Sequence, residues 1–255
     1  MTDDRRMRRL AGRNAIVTGG SRGIGAAIAI AFAREGANVS ICHDDDPDGA
    51  ESVEDAIRRN GGKTSSSRMD VADGAALAQF IADCEALVGP ADILVNNAGA
   101  SGDLPFEMIS EENLDRILNV NLKASFRAAQ QVYPGMRERR WGRIINVTSQ
   151  LAYKGAPGLT HYCAAKAALV GFTRALAQEA APHNVLVNAI APGPIDTKMN
   201  NALSEEYRNW KKAQLPIGRF GSPEEIAPTA VLLASDDGNY YAGQTLSPNG
   251  GDVMI

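Results

Sequence analysis

Asn14-Ala15-Ile16-Val17-Thr18-Gly19-Gly20-Ser21-Arg22-Gly23-Ile24-Gly25 is the stretch on which the reading of this chain turns. Five mainly apolar, β-favouring residues run straight into glycines, and the Ala-rich segment beyond them keeps helical period. Glycines between a strand and a helix let the backbone turn tightly and approach a pyrophosphate, whose charge then sits at the positive helix N-terminus. The spacing is G-x-x-x-G-x-G rather than G-x-G-x-x-G, and no G-K-[ST] follows, which excludes a P-loop. Such glycines can also be a plain strand–helix connection, but their place after the first strand favours a ligand. Gly19, Ser21, Arg22, Gly23, Ile24 and Gly25 are therefore candidate cofactor contacts.

Outward from this turn, apolar runs at 14–18, 38–42, 64–69, 93–96, 143–148, 185–189 and 245–247 alternate with helix-period segments at 24–35, 48–60, 74–87, 110–139, 162–181 and 223–234. Such alternation predicts an α/β fold, a doubly wound parallel sheet with helices on both faces. Ile93-Leu94-Val95 and Ile144-Ile145 are continuously apolar, as strands buried on both sides must be. No repeat, low-complexity tract or linker divides the chain, so a single domain over 11–255 is expected. Between Pro192 and Ser222 the rhythm breaks into Pro- and Gly-flanked polar helical sequence, which predicts a substrate lid near 194–221 or else a surface excursion.

The 255 residues suffice for one large core, burying roughly 70–75% of the unfolded surface without a staple. A net charge of −4 invites no nucleic acid. Arg5, Arg6, Arg8 and Arg9 are read as part of a flexible arm over 1–10. No apolar run reaches membrane-spanning length or forms a signal-peptide core. Cys42, Cys84 and Cys163 are widely spaced without C-x-x-C pairing, which suits reduced thiols in the cytoplasm and no metal.

About 20 residues beyond the glycine turn lie His43, Asp44, Asp45 and Asp46. A carboxylate there, Asp44 foremost, can hydrogen-bond the adenosine ribose and repel a 2′-phosphate, whereas Arg22 offers that phosphate a cation. Arg22 as a solvated turn residue and the Asp run as a helix cap are the structural alternatives. Three adjacent carboxylates lean the choice between NAD(H) and NADP(H) toward NAD(H). Asp70, beside Val71, could accept from the adenine amino group or cap a helix.

Tyr162 and Lys166 are spaced i, i+4 and share a helix face. Ser149 ends the strand Ile144-Ile145-Asn146-Val147-Thr148, and ligand sites in doubly wound folds form outside such carboxyl ends. In order along the chain stand Thr18 to Gly25, Asn96-Asn97-Ala98-Gly99, Asn121, Ser149, Tyr162-x-x-x-Lys166 and Asn188-Ala189-Ile190-Ala191-Pro192-Gly193-Pro194. This series resembles the short-chain dehydrogenase/reductase family over nearly the whole chain.

The resemblance implies a single-domain Rossmann fold of about seven strands in the order 3-2-1-4-5-6-7, and usually a homotetramer. It implies that Tyr162 is the general acid–base, that Lys166 and the positive nicotinamide together lower the tyrosine pKa, that Lys166 holds the nicotinamide ribose, and that Ser149 donates to the substrate oxygen. Asn121 would anchor a water in the proton path. Asn96, Asn97, Ala98 and Gly99 would pass the adenosine side, and Asn96 equally suits a sheet-stabilising role. Pro192, Gly193, Ile195 and Thr197 would lie near the carboxamide and phosphate.

His161, about 100° round the helix from Tyr162, is a rim or interface residue rather than a second base. Gln150, Lys154 and His161 are candidate substrate contacts and hint at a polar small molecule. The expected activity is hydride transfer between a nicotinamide dinucleotide and a carbonyl or secondary alcohol, with 3-oxoacyl, sugar, polyol and other ketone substrates all open. Similarity to 3-oxoacyl-(acyl carrier protein) reductases lies in the glycine turn and in Gly243-Gln244-Thr245. A non-catalytic nicotinamide sensor would lack a catalytic residue, and none is missing here. A lyase or epimerase on the same fold would carry another glycine spacing and a longer C-terminal part.

Overall fold

The structure, a computed structural model, describes residues 8–197 and 204–254. Seven strands form one sheet: β1 (Asn14–Thr18), β2 (Asn38–His43), β3 (Ser66–Arg68), β4 (Ile93–Asn96), β5 (Gly142–Val147), β6 (Val185–Ile190) and β7 (Thr245–Leu246). Their order is β3-β2-β1-β4-β5-β6-β7, as expected, and every pairing is parallel. Each central strand sends alternate residues into two separate cores. Ala15, Val17, Ile93, Val95, Ile145 and Val147 face one core, while Ile16, Leu94 and Ile144 face the other.

The first core is closed by α1 (Gly23–Arg34), α2 (Pro47–Arg59) and a C-terminal helix, α9 (Pro223–Ala234), through Ile28, Phe32, Val53, Ile57, Ile226 and Val231. The second is closed by α3 (Gly74–Val88), α5 (Ala124–Arg139) and α7 (Thr160–Ala180) through Leu77, Phe80, Ala128, Val132 and Ala177. Small residues on these helices let them approach the sheet closely. Burying both strand faces makes a large-to-small change at such a position cost about 2–5 kcal/mol.

Three sequence expectations change. The helix expected over 110–139 is α4 (Glu111–Leu118) and α5 joined by a π-helical turn, Asn119–Lys123, where the hydrogen-bond period widens by one residue. A short helix, α6 (Leu151–Lys154), follows β5, and the polar segment inside the expected lid forms α8 (Glu205–Gln214). Of the arm expected over 1–10, Arg8–Leu10 are docked instead: Leu10 is fully buried, its N–H donates to Glu35 O, and Arg9 pairs with Glu35. Residues 1–7 of that arm and 198–203 of the lid lie outside the described residues. Among the described residues no helix is long and apolar enough to cross a membrane.

Candidate active site

The carboxyl ends of β1, β4, β5 and β6 lie on one edge of the sheet, and β1 sits where the strand order reverses between β2 and β4. The glycine turn leaves β1 there. Gly25 packs so tightly that a Cβ would collide with the carbonyl oxygen of Gly19 and the Asn97 amide, and a Cβ on Gly23 (φ +55) would meet Thr197 Cγ2 at 3.3 Å. Thr197 thus reaches the turn from the opposite loop.

Asn97 behaves otherwise than expected. Its Nδ2 donates to both Thr18 O and Gly19 O at 2.9 Å, so both amide hydrogens serve the turn. Its backbone N–H and that of Ala98 donate to Thr18 Oγ1. Asn97 is a clamp on the glycine turn, and the neighbouring Ala98 and Gly99 are left to border the groove.

At the end of β2, Arg68 pairs with Asp45 (3.3 Å) and Arg22 approaches Asp46 (4.0 Å). Asp44 is exposed, and its carbonyl accepts from Arg68 Nε. His43 is buried, with Nδ1 accepting the Asp46 N–H. Asp70 accepts from Ala72 N and lies 3.7 Å from Arg116, while the cap of α3 is Asp73, which accepts from Ala75 N and Ala76 N. The helix-cap alternative for Asp70 therefore belongs to its neighbour three residues on. Val71 beside it is buried.

The helix carrying Tyr162 and Lys166 is fixed from beneath by a buried polar chain. Asn96 Nδ2 donates to Asn146 Oδ1 (2.8 Å), Asn146 Nδ2 to Thr173 Oγ1 (2.9 Å), and Thr173 Oγ1 to Leu169 O (2.8 Å). Asn96 also donates to Ser125 O, so its sheet-stabilising reading is the one the contacts bear out. Nearer the site, Thr148 Oγ1 donates to Lys166 O (2.7 Å) and Lys166 Nζ to Val147 O (2.9 Å). Motif reading missed Asn146, Thr148 and Thr173, because their partners lie 18 to 50 residues away.

Ser149 Oγ accepts from Leu151 N (3.1 Å) and lies near enough to Tyr162 to favour its phenolate, and Lys166 Nζ lies 5.7 Å from the centre of the tyrosine ring. Asn121 sits in the π-helical turn, fully buried, with Nδ2 donating to Ala100 O (2.8 Å) and Ile117 O (3.0 Å). Its Oδ1 has no partner among the described residues. A Cβ on Gly99 would stand 3.0 Å from that oxygen and 3.4 Å from Lys166 Nζ, so Gly99, Asn121 and Lys166 close on one point. All four expected catalytic residues meet at this edge.

Burial opposes charge on both members of the pair. It pushes Tyr162 up to about 12 despite the nearby Ser149 hydroxyl, and Lys166 down to about 8. The lowered tyrosine pKa expected from Lys166 is thus not produced by the protein's own groups, because the desolvation of the phenolate outweighs an ammonium that is itself buried.

The expected substrate contacts divide. Gln150 Nε2 and Lys154 Nζ both donate to Asp252, a residue of the C-terminal tail to which no role was given. His161 is buried with Nδ1 unpartnered, and its Nε2 is 3.9 Å from where a Cβ on Gly102 would lie. Pro192 O accepts from Gln150 N, Gly193 N donates to Pro248 O, and Ile195 is buried and bridges to Gly221. These backbone links place the 192–195 loop between Ser149 and the tail.

The family model described as short chain dehydrogenase matches residues 13–208. A 3-oxoacyl-(acyl-carrier-protein) reductase of Staphylococcus epidermidis is 40% identical over 242 residues, covering 95% of this chain and 99% of that one. An acetoacetyl-CoA reductase of Shinella zoogloeoides is 42% identical over 246 residues, covering 95% and 99%. Among solved structures, a short-chain dehydrogenase/reductase from Serratia marcescens superposes with a TM-score of 0.91 at 39% identity, covering 96% of this chain and all of that one.

Proposed function

The chain belongs to the short-chain dehydrogenase/reductase family, an NAD(P)-dependent oxidoreductase acting on a carbonyl/alcohol pair, and from that premise we propose that it reduces a 3-oxoacyl thioester to the 3-hydroxy compound. The observation that carries the reading is the meeting of Ser149, Tyr162, Lys166 and Asn121 beside the glycine turn. The names of the two reductase relatives, matched over almost their whole length, support the substrate class.

The groove suits a dinucleotide. The glycine turn is held tight enough to present backbone N–H groups at the start of α1, and the orphaned Asn121 oxygen lies beside Lys166. Gly19, Ser21, Arg22, Gly23, Ile24 and Gly25 would hold the pyrophosphate side. Asp44, Asp70, Val71, Ala98 and Gly99 would line the adenosine side, and Pro192, Gly193, Ile195 and Thr197 the nicotinamide side. Bound there, the dinucleotide supplies the hydride and, when oxidised, a positive ring.

Every other part of the chemistry falls to side chains. Ser149 donates to the substrate carbonyl oxygen, favouring the charge that develops there. Tyr162, protonated at neutral pH, gives its phenolic proton to that oxygen. Lys166 keeps one N–H on Val147 O and has others for the ribose hydroxyls and for returning a proton to Tyr162. Asn121 Oδ1 would hold the water that reprotonates Lys166.

NAD(H) is the proposed cofactor. Arg68 pairs with Asp45 and Arg22 lies 4.0 Å from Asp46 on an exposed rim, where Asp44 adds a further negative charge that disfavours a 2′-phosphate. A homotetramer is proposed from the exposed Phe106, Met108 and Phe126 beside α4 and α5, and a cytoplasmic location from reduced, unpaired cysteines. Turnover of acetoacetyl-CoA with NADH and NADPH in separate assays tests the reading. Activity with NADH at least about tenfold above NADPH is expected. No turnover with either would overturn the substrate class, and a preference for NADPH the cofactor assignment.

A further inference from the structure

The tail of the chain runs past the substrate side of the site and carries a buried carboxylate, Asp252. Asn249 shapes it, accepting from Gly251 N and donating to Val253 O and Ser247 Oγ. Gly193 donates to Pro248 O, and Ile217 N, at the base of the lid, donates to Gly250 O. Gly250 (φ +69) and Gly251 (φ +86) stand so close to Ile217 and Pro216 that side chains there would clash. This threading delivers Asp252, whose side chain is 4% exposed, to a point between α6 and α8.

Three donors converge on it. Lys211 of α8 reaches both carboxylate oxygens at 2.7 and 2.8 Å, Lys154 of α6 reaches one at 2.8 Å, and Gln150, the residue after Ser149, donates through Nε2. Burial alone would raise the Asp252 pKa, but these hydrogen bonds hold it below the ordinary carboxylate range. Lys211 is itself only 13% exposed, so the pair is largely removed from water. Breaking such a pair leaves an uncompensated buried charge.

The lid helix has little else to hold it. No residue of α8 is buried, Tyr207 and Trp210 face solvent, and among the described residues its further ties include Arg208, which pairs with Asp196 at 2.6 Å and lies 4.9 Å from the Phe220 ring. A helix without core packing takes its position from polar ties at its ends and flank. We propose that Asp252 is a positioning residue, which sets the pose of the lid helix over the substrate site by joining Lys211 to Gln150 and Lys154 beside the catalytic Ser149. This rests on the family reading of the site, and it assigns the tail a part in substrate affinity rather than in cofactor binding.

Hydrogen exchange on the full-length protein tests it without knowledge of the substrate. In Asp252→Asn the backbone amides of residues 205–217 should exchange at least about fivefold faster, with the sheet amides unchanged, and Asp252→Glu should recover most of the protection. Lys211→Met removes the lid's side of the same contact and should show the same local change, which keeps the test readable if Asp252→Asn folds poorly. With acetoacetyl-CoA, KM should rise at least about fivefold while kcat stays within about threefold and NADH affinity is unchanged. Unaltered exchange over 205–217 in both variants overturns the proposal. A loss of NADH affinity as large as the rise in KM overturns it too, since the tail would then be structural. Faster lid exchange in a protein that never turns over acetoacetyl-CoA supports the positioning role and removes only the substrate class proposed above.

Discussion

Helices α7 and α8 both border the site, yet they are held by different physics. α7 buries Ala165, Lys166, Leu169, Val170, Thr173 and Ala177 and stands on the Asn96–Asn146–Thr173 chain, all of it inaccessible to water. α8 has no buried apolar residue and is tied by Lys211–Asp252 and Arg208–Asp196. The proton-transfer residues thus ride on a helix whose register the core dictates. The helix proposed as the substrate lid is tied instead through charged side chains on its flank. A scaffold built this way can change what it accepts without disturbing how it reacts.

The contrast is sharpened most by Tyr162→Phe, which removes a hydroxyl and nothing else from α7. Activity should fall by about 10³-fold or more, while cofactor affinity and melting temperature stay near those of the parent. Isothermal titration beside a turnover assay checks both halves; residual activity above about a tenth of the parent's would remove Tyr162 from the proposed role.

A paired comparison comes next in size. Asn146→Ala leaves one Asn96 amide hydrogen without its acceptor and removes the donor to Thr173 Oγ1, though these groups keep Ser125 O and Leu169 O, at a cost of about 1–3 kcal/mol. Arg208→Ala, on a half-exposed pair, should cost less than about 1 kcal/mol and act on KM instead. Urea midpoints and steady-state kinetics on the two variants would break the comparison if their stability losses were equal.

The pair on α7 also has a pH signature with two opposed signs. Lys166 titrates at about 8 in the folded protein against an ordinary 10.5, so its charge, and with it kcat/KM for reduction, declines as pH rises through 8. Stability runs the other way. Between pH 8 and 10.5 the unfolded chain binds more protons at Lys166 than the folded one, so the cost of burying the ammonium is relieved as pH rises. Tyr162, near 12 in the folded protein, stays protonated there and leaves kcat/KM untouched, but against an ordinary 10 in the unfolded chain it lowers stability as pH rises through 10 and offsets part of the Lys166 gain. A kcat/KM profile flat from pH 7 to about 10 would contradict this assignment.

The fold was legible because its signals are local: a glycine turn between strand and helix, strands apolar on both faces, and a tyrosine and lysine one helical turn apart. The remainder depends on distance in sequence or on a change of period. Gln150 and Lys154 look like substrate contacts because they follow Ser149, but the carboxylate that engages them lies 102 and 98 residues away. Asn97 belongs to a cofactor motif, yet its amide clasps backbone carbonyls 78 and 79 residues earlier. The π-helical turn that aims Asn121 costs one extra residue in an otherwise regular helix, and periodicity over 110–139 absorbs it unseen.

The smallest effect belongs to the rim of β2, where charge is exposed and nothing is packed. Asp44→Asn removes one carboxylate from a cluster in which Asp45 and Asp46 are already paired with Arg68 and Arg22. In water-screened surroundings one unit charge a few ångströms from a phosphate is worth about 1 kcal/mol, so the ratio of NADH to NADPH efficiency should drop by about three- to tenfold. The change should shrink as salt is raised, because exposed charges are screened, and it should leave kcat with NADH untouched. A ratio that does not move would mean that Asp44 faces solvent rather than the ribose, and that whatever discrimination the protein has comes from Arg22 and Arg68 alone.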